Sequence, residues 1–306
     1  MNRRFVLGLI LLGIVSPIRA AEPVPADPAK LFARENLVAW CIVPFDAKKR
    51  SPEDRVDMLK RLGFTHYAYD WRAEHLPTFE REIVALKKNG IELSAVWFPG
   101  SLNNDAKVLL DALAKHGVKT QLWVTMNGGG PAKSAEEQQQ KVTQHANAIR
   151  PIAEAAGKIG CTVGLYNHGA WFGEPENQIA IIDALKLPNV GIIYNQHHGH
   201  DHLDRFPALL KKMQPHLLVL NINGMVNAGD KQGKKILPLG QGDRDLEMLK
   251  VIVASGYRGP IGILGHTQDD AEERLKDNLD GLDWLVPQLS GKAARTKPQP
   301  RTTGKQ

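Results

Sequence analysis

A short motif that joins a helical pattern to a β-rich run recurs every 27 residues and constrains the fold of this chain more than any other feature. Glycine at its centre is the residue that ends a helix in the left-handed conformation without a Cβ clash. Apolar residues before the first two of these glycines recur at intervals of three or four, so each helix has one apolar face. The repeating unit is therefore a helix, a glycine and a strand. Its copies are Arg61-Leu62-Gly63-Phe64, Lys88-Asn89-Gly90-Ile91 and Lys115-His116-Gly117-Val118.

The same alternation continues along the chain and predicts eight strands and eight helices. Eight alternations over about 250 residues are typical of a closed parallel (β/α)8 TIM barrel, an α/β fold. The predicted strands lie near 37–43, 64–70, 91–99, 119–127, 161–169, 190–195, 217–223 and 259–265. The predicted helices lie near 52–62, 76–89, 104–116, 134–157, 174–186, 202–214, 245–256 and 268–286.

A doubly wound open sheet is the main alternative to the barrel. Such a sheet usually carries a glycine-rich phosphate-binding turn after its first strand, whereas Ile42-Val43-Pro44-Phe45 occupies that place here. We therefore predict one TIM barrel domain over residues 37–289. A linker over 21–36 precedes it, and a basic tail over 290–306 is predicted to be disordered.

The first twenty residues have the composition of a signal peptide. Asn2-Arg3-Arg4 is a basic region, Phe5 to Val15 is apolar, and the segment ends in Ala20. The apolar run is short for a bilayer span, so cleavage after Ala20 is favoured over an uncleaved anchor. In either case we expect an exported protein, periplasmic or secreted, with no membrane contact after cleavage.

The positive net charge lies mostly at the two ends of the chain. The formal net charge is +6, but the signal peptide contributes three of these positive charges and the tail five, which leaves about −2 for the barrel. A nucleic-acid surface needs clustered Lys and Arg on one face, so we expect no nucleic-acid partner.

Two cysteines, Cys41 and Cys161, fall in the first and fifth predicted strands, which face each other across a barrel. A disulfide needs Cα atoms within about 7 Å. Two buried free thiols are therefore expected despite the oxidising compartment.

Polar and aromatic side chains follow most of the predicted strands. In a TIM barrel the reacting groups come from the carboxyl ends of the strands and the loops after them. Amides, imidazoles and indole rings together suit a polyhydroxylated ring, which needs hydrogen bonds at its rim and an apolar face on which to stack. The predicted sugar-binding residues are Asp70, Trp71, Trp97, Asn127, Asn167, Trp171, Asn195, Asn221, Asn223 and Gln241.

A histidine-rich tract, His197-His198-Gly199-His200-Asp201-His202, follows the sixth strand. Such a tract either binds a transition metal or is a solvated loop that opens a helix. For the first case we name His198 and His200 as ligands of zinc or a similar divalent ion, with His168 and His266 as partners from other strand ends.

Four stretches of the sequence match motifs of a known family. They are Leu165-Tyr166-Asn167-His168, Pro188-Asn189-Val190-Gly191, Pro238-Leu239-Gly240-Gln241-Gly242 with Asp243 and Asp245, and Gly256-Tyr257-Arg258-Gly259-Pro260-Ile261.

These stretches make the chain resemble the xylose isomerase-like barrels, which include sugar phosphate isomerases, epimerases and the second family of apurinic endonucleases. The resemblance covers roughly 37–285 and implies a divalent metal, held by acids and histidines, that helps to move a proton next to a carbonyl. The chain retains His198 but has neutral residues where these relatives place acids, at Tyr166, Asn195, Asn221 to Gly224 and Leu264. An Mg²⁺ or Mn²⁺ site prefers carboxylate oxygens, so neither such a site nor an endonuclease activity is expected.

The leading hypothesis is a sugar isomerase, epimerase or lyase that removes a proton next to a carbonyl. Its catalytic residues would be His168, His198, His266 and Tyr166, because an imidazole near its ordinary pKa can take and return a proton and a hydroxyl can hold the oxyanion. Glu174 and Asp70 are further acidic candidates. The alternatives are a carbohydrate-binding barrel that has lost the family's metal site and an interaction protein without a pocket ligand.

The signal peptide leads to a direct prediction about the mature chain. We expect the protein recovered from the periplasm or the medium to begin at Ala21, because Ala20 precedes the cleavage site. N-terminal sequencing will check this. Recovery of full-length chain in the membrane fraction would instead indicate the uncleaved anchor.

Overall fold

All eight predicted strands are present and close into one parallel barrel. The computed structural model describes residues 23–304, so the predicted signal peptide lies outside the described residues. Each strand pairs with the next along the chain, and the last pairs with the first. The strands are β1 (Leu37–Trp40), β2 (His66–Tyr69), β3 (Glu92–Phe98), β4 (Gln121–Val124), β5 (Thr162–Tyr166), β6 (Val190–Asn195), β7 (Leu217–Ile222) and β8 (Ile261–Leu264).

The helices lie between and after the strands, as the helix-glycine-strand pattern predicts. Two short helices, the first and the sixth, were not predicted. The helix predicted over 202–214 begins instead as 3-10 turns over His200–Arg205. The bounds are α1 (Pro28–Leu31), α2 (Pro52–Leu62), α3 (Phe79–Lys88), α4 (Asn104–Lys115), α5 (Ala135–Lys158), α6 (Ala170–Gly173), α7 (Pro175–Leu185), α8 (Phe206–Met213), α9 (Asp245–Ala254) and α10 (Ala271–Leu289).

The repeated glycines adopt the backbone conformation on which the prediction rests. Their φ angles are +79° at Gly63, +68° at Gly90 and +61° at Gly117. A Cβ at any of the three would meet no atom within 4 Å, so conformation rather than space requires glycine here.

Several of the strands are shorter at their carboxyl ends than predicted. The strand predicted over 119–127, for example, ends at Val124. The polar residues after this point turn away from the hydrogen-bonding ladder into loops. These loops carry the candidate site residues.

The interior of the barrel is filled by large aromatic residues opposite small ones. Trp40 and Trp123 contact each other with ring centroids 4.5 Å apart, and Tyr166 packs against both. Ala68 and Ala95 line the same interior cluster. This layer closes the barrel below its carboxyl rim, so a ligand can enter only above it.

Both cysteines are buried free thiols, as expected. Cys41 directly follows β1 and has φ +59°, a left-handed conformation that is uncommon for a residue with a side chain.

The predicted disorder of the tail is not what the structure shows for residues 298–304. Asp277 on α10 accepts hydrogen bonds from the backbone amides of Arg301 and Thr302, both at 2.9 Å. The Gln241 amide donates to the carbonyl of Pro298 at 2.9 Å. The composition of the tail alone favours disorder. The acid that binds the tail, Asp277, lies on α10, outside the tail sequence.

Within residues 23–304, no helix has the length and apolar character needed to cross a bilayer.

Candidate functional site

A cleft with about 350 Å³ of empty space, part of which is open to solvent, lies at the carboxyl ends of the strands, above the aromatic layer. It brings together His168, His198 and His266, the three histidines selected from the sequence, although they follow three different strands. The lining residues are Trp40, Cys41, Phe45, Asp70, Arg72, Trp97, Tyr166, His168, His197, His198 and His266.

The imidazole rings form a contiguous cluster. The ring centroids of His168 and His198 are 4.4 Å apart, those of His197 and His198 3.6 Å, and those of His197 and His266 5.8 Å. Phe45 covers the other side of His266, with centroids 3.8 Å apart. The cluster therefore spans the cavity from the β5 loop to the β8 loop.

The pKa values of the clustered histidines are lowered, whereas the sequence led us to expect ordinary values. Burial and the nearby His168 and Lys235 lower the pKa of His198 to about 2. Burial and the charge of Arg72 lower the pKa of His266 to about 4. His168 is the most exposed of the three, and its pKa is lowered by burial and by Lys235. All three rings are thus neutral at pH 7 and able to accept a proton.

Tyr166 is a neutral hydrogen-bond donor at the floor of the cavity. Its hydroxyl oxygen accepts hydrogen bonds from the Trp40 indole at 3.2 Å and from the Asn195 amide. Burial raises its pKa well above the ordinary value, so the hydroxyl keeps its proton. With both acceptor positions in use, the O–H is left to donate to a ligand.

Asp70 supplies the one carboxylate among the lining residues. Its Oδ1 accepts the backbone amides of Ile42 and Val43 at 3.2 and 3.0 Å. Oδ2 is buried and has no partner within the described chain. Burial raises the Asp70 pKa to about 6, although the Val43 amide opposes this shift. These two bonds also hold the left-handed turn that starts at Cys41.

Some predicted sugar-binding residues lie away from the cavity. The Trp71 indole donates to the carbonyl of Trp97 at 2.6 Å and packs in the outer core, so of these two predicted residues only Trp97 lines the cavity. The Trp171 indole donates to Gln138 at 2.8 Å beside a separate groove. Asn127 is exposed and caps its own loop. Each of these side chains forms a hydrogen bond to a protein group outside the cavity, and the sequence pattern could not show these partners.

None of the remaining predicted amides lines the cavity, and two of them, Asn167 and Asn195, support residues that do. Asn167 joins β5 to β6, accepting the Asn195 amide at 2.7 Å. Asn195 in turn holds Tyr166. Asn221 lies fully buried beside Gly262, and Asn223 donates to the carbonyl of Gly224 at 2.9 Å. Gln241 faces the tail, as described above.

The donor set does not fit a metal of the kind that the family resemblance implies. His200 turns its Nε2 to the carbonyl of Lys235 at 2.9 Å, so it does not pair with His198. Glu174 is bound to His202 and Arg205. Across residues 23–304, no three or more His, Cys, Asp or Glu side chains are arranged to hold an ion. We therefore assign no step to a metal.

Several lining residues were not predicted as site residues. His197 and Arg72 stand in the strand-end motifs, where closer attention to charge could have found them. Trp40 and Phe45 look like ordinary core residues in the sequence.

Residues 56–287 match the family described as xylose isomerase-like TIM barrel. This chain belongs to that family. The resemblance inferred from the strand-end motifs is thereby confirmed, and the closed eight-stranded barrel agrees with it.

Solved structures of the same fold include enzymes that act on sugars and related compounds. The chain is similar to 3-keto-D-glucoside 4-epimerase YcjR from E. coli, with 17% identity and a TM-score of 0.61, over 82% of this chain and 98% of that one. It is also similar to the probable 3-DHS dehydratase AsbF from Bacillus anthracis, with 19% identity and a TM-score of 0.59, over 80% and 98%. At these identities the likeness shows the fold alone.

A weaker match concerns a protein of another description. The chain is 24% identical over 181 residues to trans-aconitate 2-methyltransferase from Rhizobium rhizogenes, which is 59% of each chain. The chain thus spans under two thirds of that relative, and no activity is carried over from it.

The lowered pKa of His198 predicts a loss of stability on acidification. An unfolded histidine has an ordinary pKa of about 6.5, so below this pH the unfolded chain binds a proton that folded His198 does not. The stabilisation is complete above about pH 6.5 and is lost as the pH falls, by up to about 1.4 kcal/mol per pH unit. Thermal unfolding between about pH 7 and pH 5 should therefore change less in His198→Gln than in the wild type.

Asp70 acts with the opposite sign, so the comparison must be between variant and wild type. His216→Gln, at the amino end of β7, serves as the matched control and should keep the wild-type pH dependence. Identical pH dependence in His198→Gln and the wild type would contradict the assignment.

The metal content of the purified protein provides a second test. We expect less than about one tenth of an equivalent of any transition metal in protein purified without a histidine tag, and no change in Tm with a chelator. Elemental analysis measures this directly. A zinc content near one equivalent would restore the zinc site predicted from the sequence.

Proposed function

We propose that this protein is an exported enzyme that moves a proton next to the carbonyl of a sugar, in an isomerase, epimerase or lyase reaction. One observation carries the proposal: His168, His198 and His266 reach one small cavity from three strands, beside the Tyr166 hydroxyl. Export rests on the N-terminal sequence alone.

His168 is the base that the geometry favours. It is the most exposed of the three histidines, and burial and the charge of Lys235 lower its pKa, so a neutral ring is available to accept a proton. Its ring centroid lies 6.5 Å from that of Tyr166. A sugar carbon next to a carbonyl can therefore be reached by a base on one side and a hydroxyl donor on the other.

The proposed step is a proton transfer that needs no oxidant, reductant or other co-reactant. An imidazole nitrogen of His168 takes the proton from the carbon next to the carbonyl. The C–H electron pair forms a carbon–carbon double bond, and the carbonyl pair moves to oxygen. The Tyr166 O–H donates a hydrogen bond to that oxyanion in a largely buried site, where such bonds are strong.

The fate of the proton decides the reaction type. Its return to the former carbonyl carbon, with transfer of the neighbouring hydroxyl proton to the oxyanion, completes an isomerisation. Return of a proton to the opposite face of the original carbon, with re-formation of the carbonyl, completes an epimerisation. Loss of a β-hydroxyl group as water would instead give a lyase product.

Aromatic rings suit the apolar face of a sugar. Trp97 and Trp40 line the cavity with ring centroids 6.1 Å apart, and Trp97 also lies 6.4 Å from His168. Stacking against these rings would place the ring carbons of a sugar near the imidazole. The epimerase and dehydratase activities named for two structures of this fold support the same class of substrate.

A second candidate is a carbohydrate-binding barrel without activity. The observation in its favour is the neutral residue at each place where the resemblance predicts an acid, including Tyr166, Asn195 and Leu264. Such a protein would keep the stacking rings but not the proton transfer.

Hydrogen exchange in D₂O separates the two candidates. We expect wild-type protein to exchange carbon-bound hydrogen in a panel of keto sugars, measured by NMR, and His168→Gln to lose about 100-fold or more of this rate, as general-base removal typically does. His216→Gln, outside the cavity, should exchange like the wild type. Binding of panel sugars without exchange would support the binding protein and refute the proposed enzyme.

A further inference from the structure

The C-terminal tail returns along α10 to the rim of the barrel that carries the candidate site. Near the end of α10, the Trp284 indole donates to the carbonyl of Arg295 at 2.8 Å. Before the start of α10, the side chain of Asp269 accepts the amide of Gly304 at 3.1 Å. The tail therefore runs antiparallel to the helix and ends beside the loop between β8 and α10, which also carries His266.

Two carboxylates hold the end of the tail. Asp277 accepts the amides of Arg301 and Thr302, both at 2.9 Å, and the Thr302 hydroxyl at 2.7 Å. Asp269 accepts the amide and the hydroxyl of Thr303 at 3.3 and 3.0 Å. Hydrogen bonds to a charged acceptor are stronger than those between neutral groups. The tail segment has no helix or strand of its own, so these side chains of the barrel fix its position.

Asp269 connects the tail to one wall of the cavity. Its backbone carbonyl accepts the amide of Ala47 at 3.0 Å, and Ala47 follows closely after Phe45 in the β1 loop. The Phe45 ring covers His266, and both residues line the cavity. Asp269 thus contacts the tail through its side chain and the β1 loop through its backbone, in the same loop as His266.

Arg274 connects the tail to a second wall. This side chain of α10 is fully buried, and it donates from Nη1 to the Thr302 hydroxyl at 3.4 Å and from Nη2 to the carbonyl of Ile236 at 2.9 Å. Ile236 lies in the loop between β7 and α9 and packs in the same cluster as Trp40 and Tyr166. The tail therefore contacts, through one arginine, the loop that packs against the floor of the cavity.

We infer that the tail is a strap that holds the β7–α9 and β8–α10 loops in the positions that shape the cavity. Its residues up to Gly304 are not among those that line the cavity, so it supports the site without blocking it. An exposed segment held by a few hydrogen bonds opens at a lower free energy than the barrel unfolds. Release of the tail therefore loosens both loops while the barrel stays folded. The inference goes beyond the proposed function, because it concerns the shape of the cavity and applies to an enzyme and to a binding protein alike.

Labelling of the two cysteines with N-ethylmaleimide tests this inference in the mature chain with its tail intact. Cys41 lines the cavity, and the amide of Gly265, which directly follows β8, donates to the carbonyl of Trp40 at 2.9 Å. Because Trp40 directly precedes Cys41, a loosened β8–α10 loop exposes the Cys41 thiol. Cys161, buried at the amino end of β5, is the internal control.

The triple variant Arg301→Gln/Thr302→Pro/Thr303→Val removes the Arg301 ion pairs, both hydroxyls and one amide donor of the tail. We expect its Cys41 to be labelled about tenfold or more faster than in the wild type, because the lost charge-assisted hydrogen bonds lower the free energy of opening. Its Cys161 should be labelled at the wild-type rate. Thr303→Val alone should give a smaller increase at Cys41, and it serves if the triple variant folds poorly. Arg295→Gln, which changes an exposed side chain that forms no ion pair within residues 23–304, should be labelled like the wild type.

Amide hydrogen exchange, measured by mass spectrometry, shows which segments loosen. In the triple variant we expect faster exchange in peptides that cover 43–50, 226–242 and 266–270, and unchanged exchange in β3 and β4. The inference requires both this result and the faster labelling. Wild-type rates at Cys41 or in these loops overturn it, as does equal acceleration at Cys161, which would indicate a general loss of stability.

These outcomes are distinct from failure of the proposed function, because neither measurement uses a sugar. Absence of hydrogen exchange in keto sugars would refute the proposed enzyme and leave the strap standing. Exchange in keto sugars, together with wild-type labelling of the triple variant, would refute the strap and leave the enzyme.

Discussion

Closure of the barrel by pairing of β1 with β8 is the constraint on which the rest of the structure depends. Leu37 to Trp40 align with Ile261 to Leu264 in parallel register, so the eight strands form a ring with all carboxyl ends at one rim. His168 and His266, which follow β5 and β8, can share a cavity only because the ring closes. An open sheet of the same strands would leave these two loops at separated positions along its edge.

The ring of strands also needs a filled interior. Some of the side chains that fill it are also lining residues of the cavity. Trp40, Trp123 and Tyr166 occupy the upper interior, while Gly164 and Gly262 leave the room that the neighbouring side chains need. A Cβ at Gly262 would lie 1.6 Å from Oδ1 of Asn221. Tyr166 is therefore a core residue by packing and a hydrogen-bond donor by position. Its two accepted hydrogen bonds, from Trp40 and Asn195, hold the hydroxyl at the cavity floor.

The lowered pKa values of the histidines at the rim are related to the neutral residues that this chain has at strand ends where the family resemblance implies acids. Acids at strand ends would balance the nearby cations and keep imidazoles partly protonated. With Tyr166, Asn195 and Leu264 at the places where the resemblance implies acids, burial and the charges of Arg72 and Lys235 keep the histidines neutral. Neutral imidazoles can accept a proton, which is the property that the proposed proton transfer requires.

The sequence by itself determined the number and order of the strands and helices, the glycine turns and the strand ends that carry His168, His198, His266 and Tyr166, because these depend on local periodicity, backbone conformation and motif resemblance. Only the tertiary structure decided that Trp171 and Gln241 face other surfaces, that the tail binds α10, and that Arg72 lines the same cavity as the histidines. Those outcomes depend on which distant groups meet across the closed barrel. Burial, hydrogen-bond partners and pKa shifts are determined by contacts between residues that are distant in the sequence, so the spacing of residues along the chain does not reveal them.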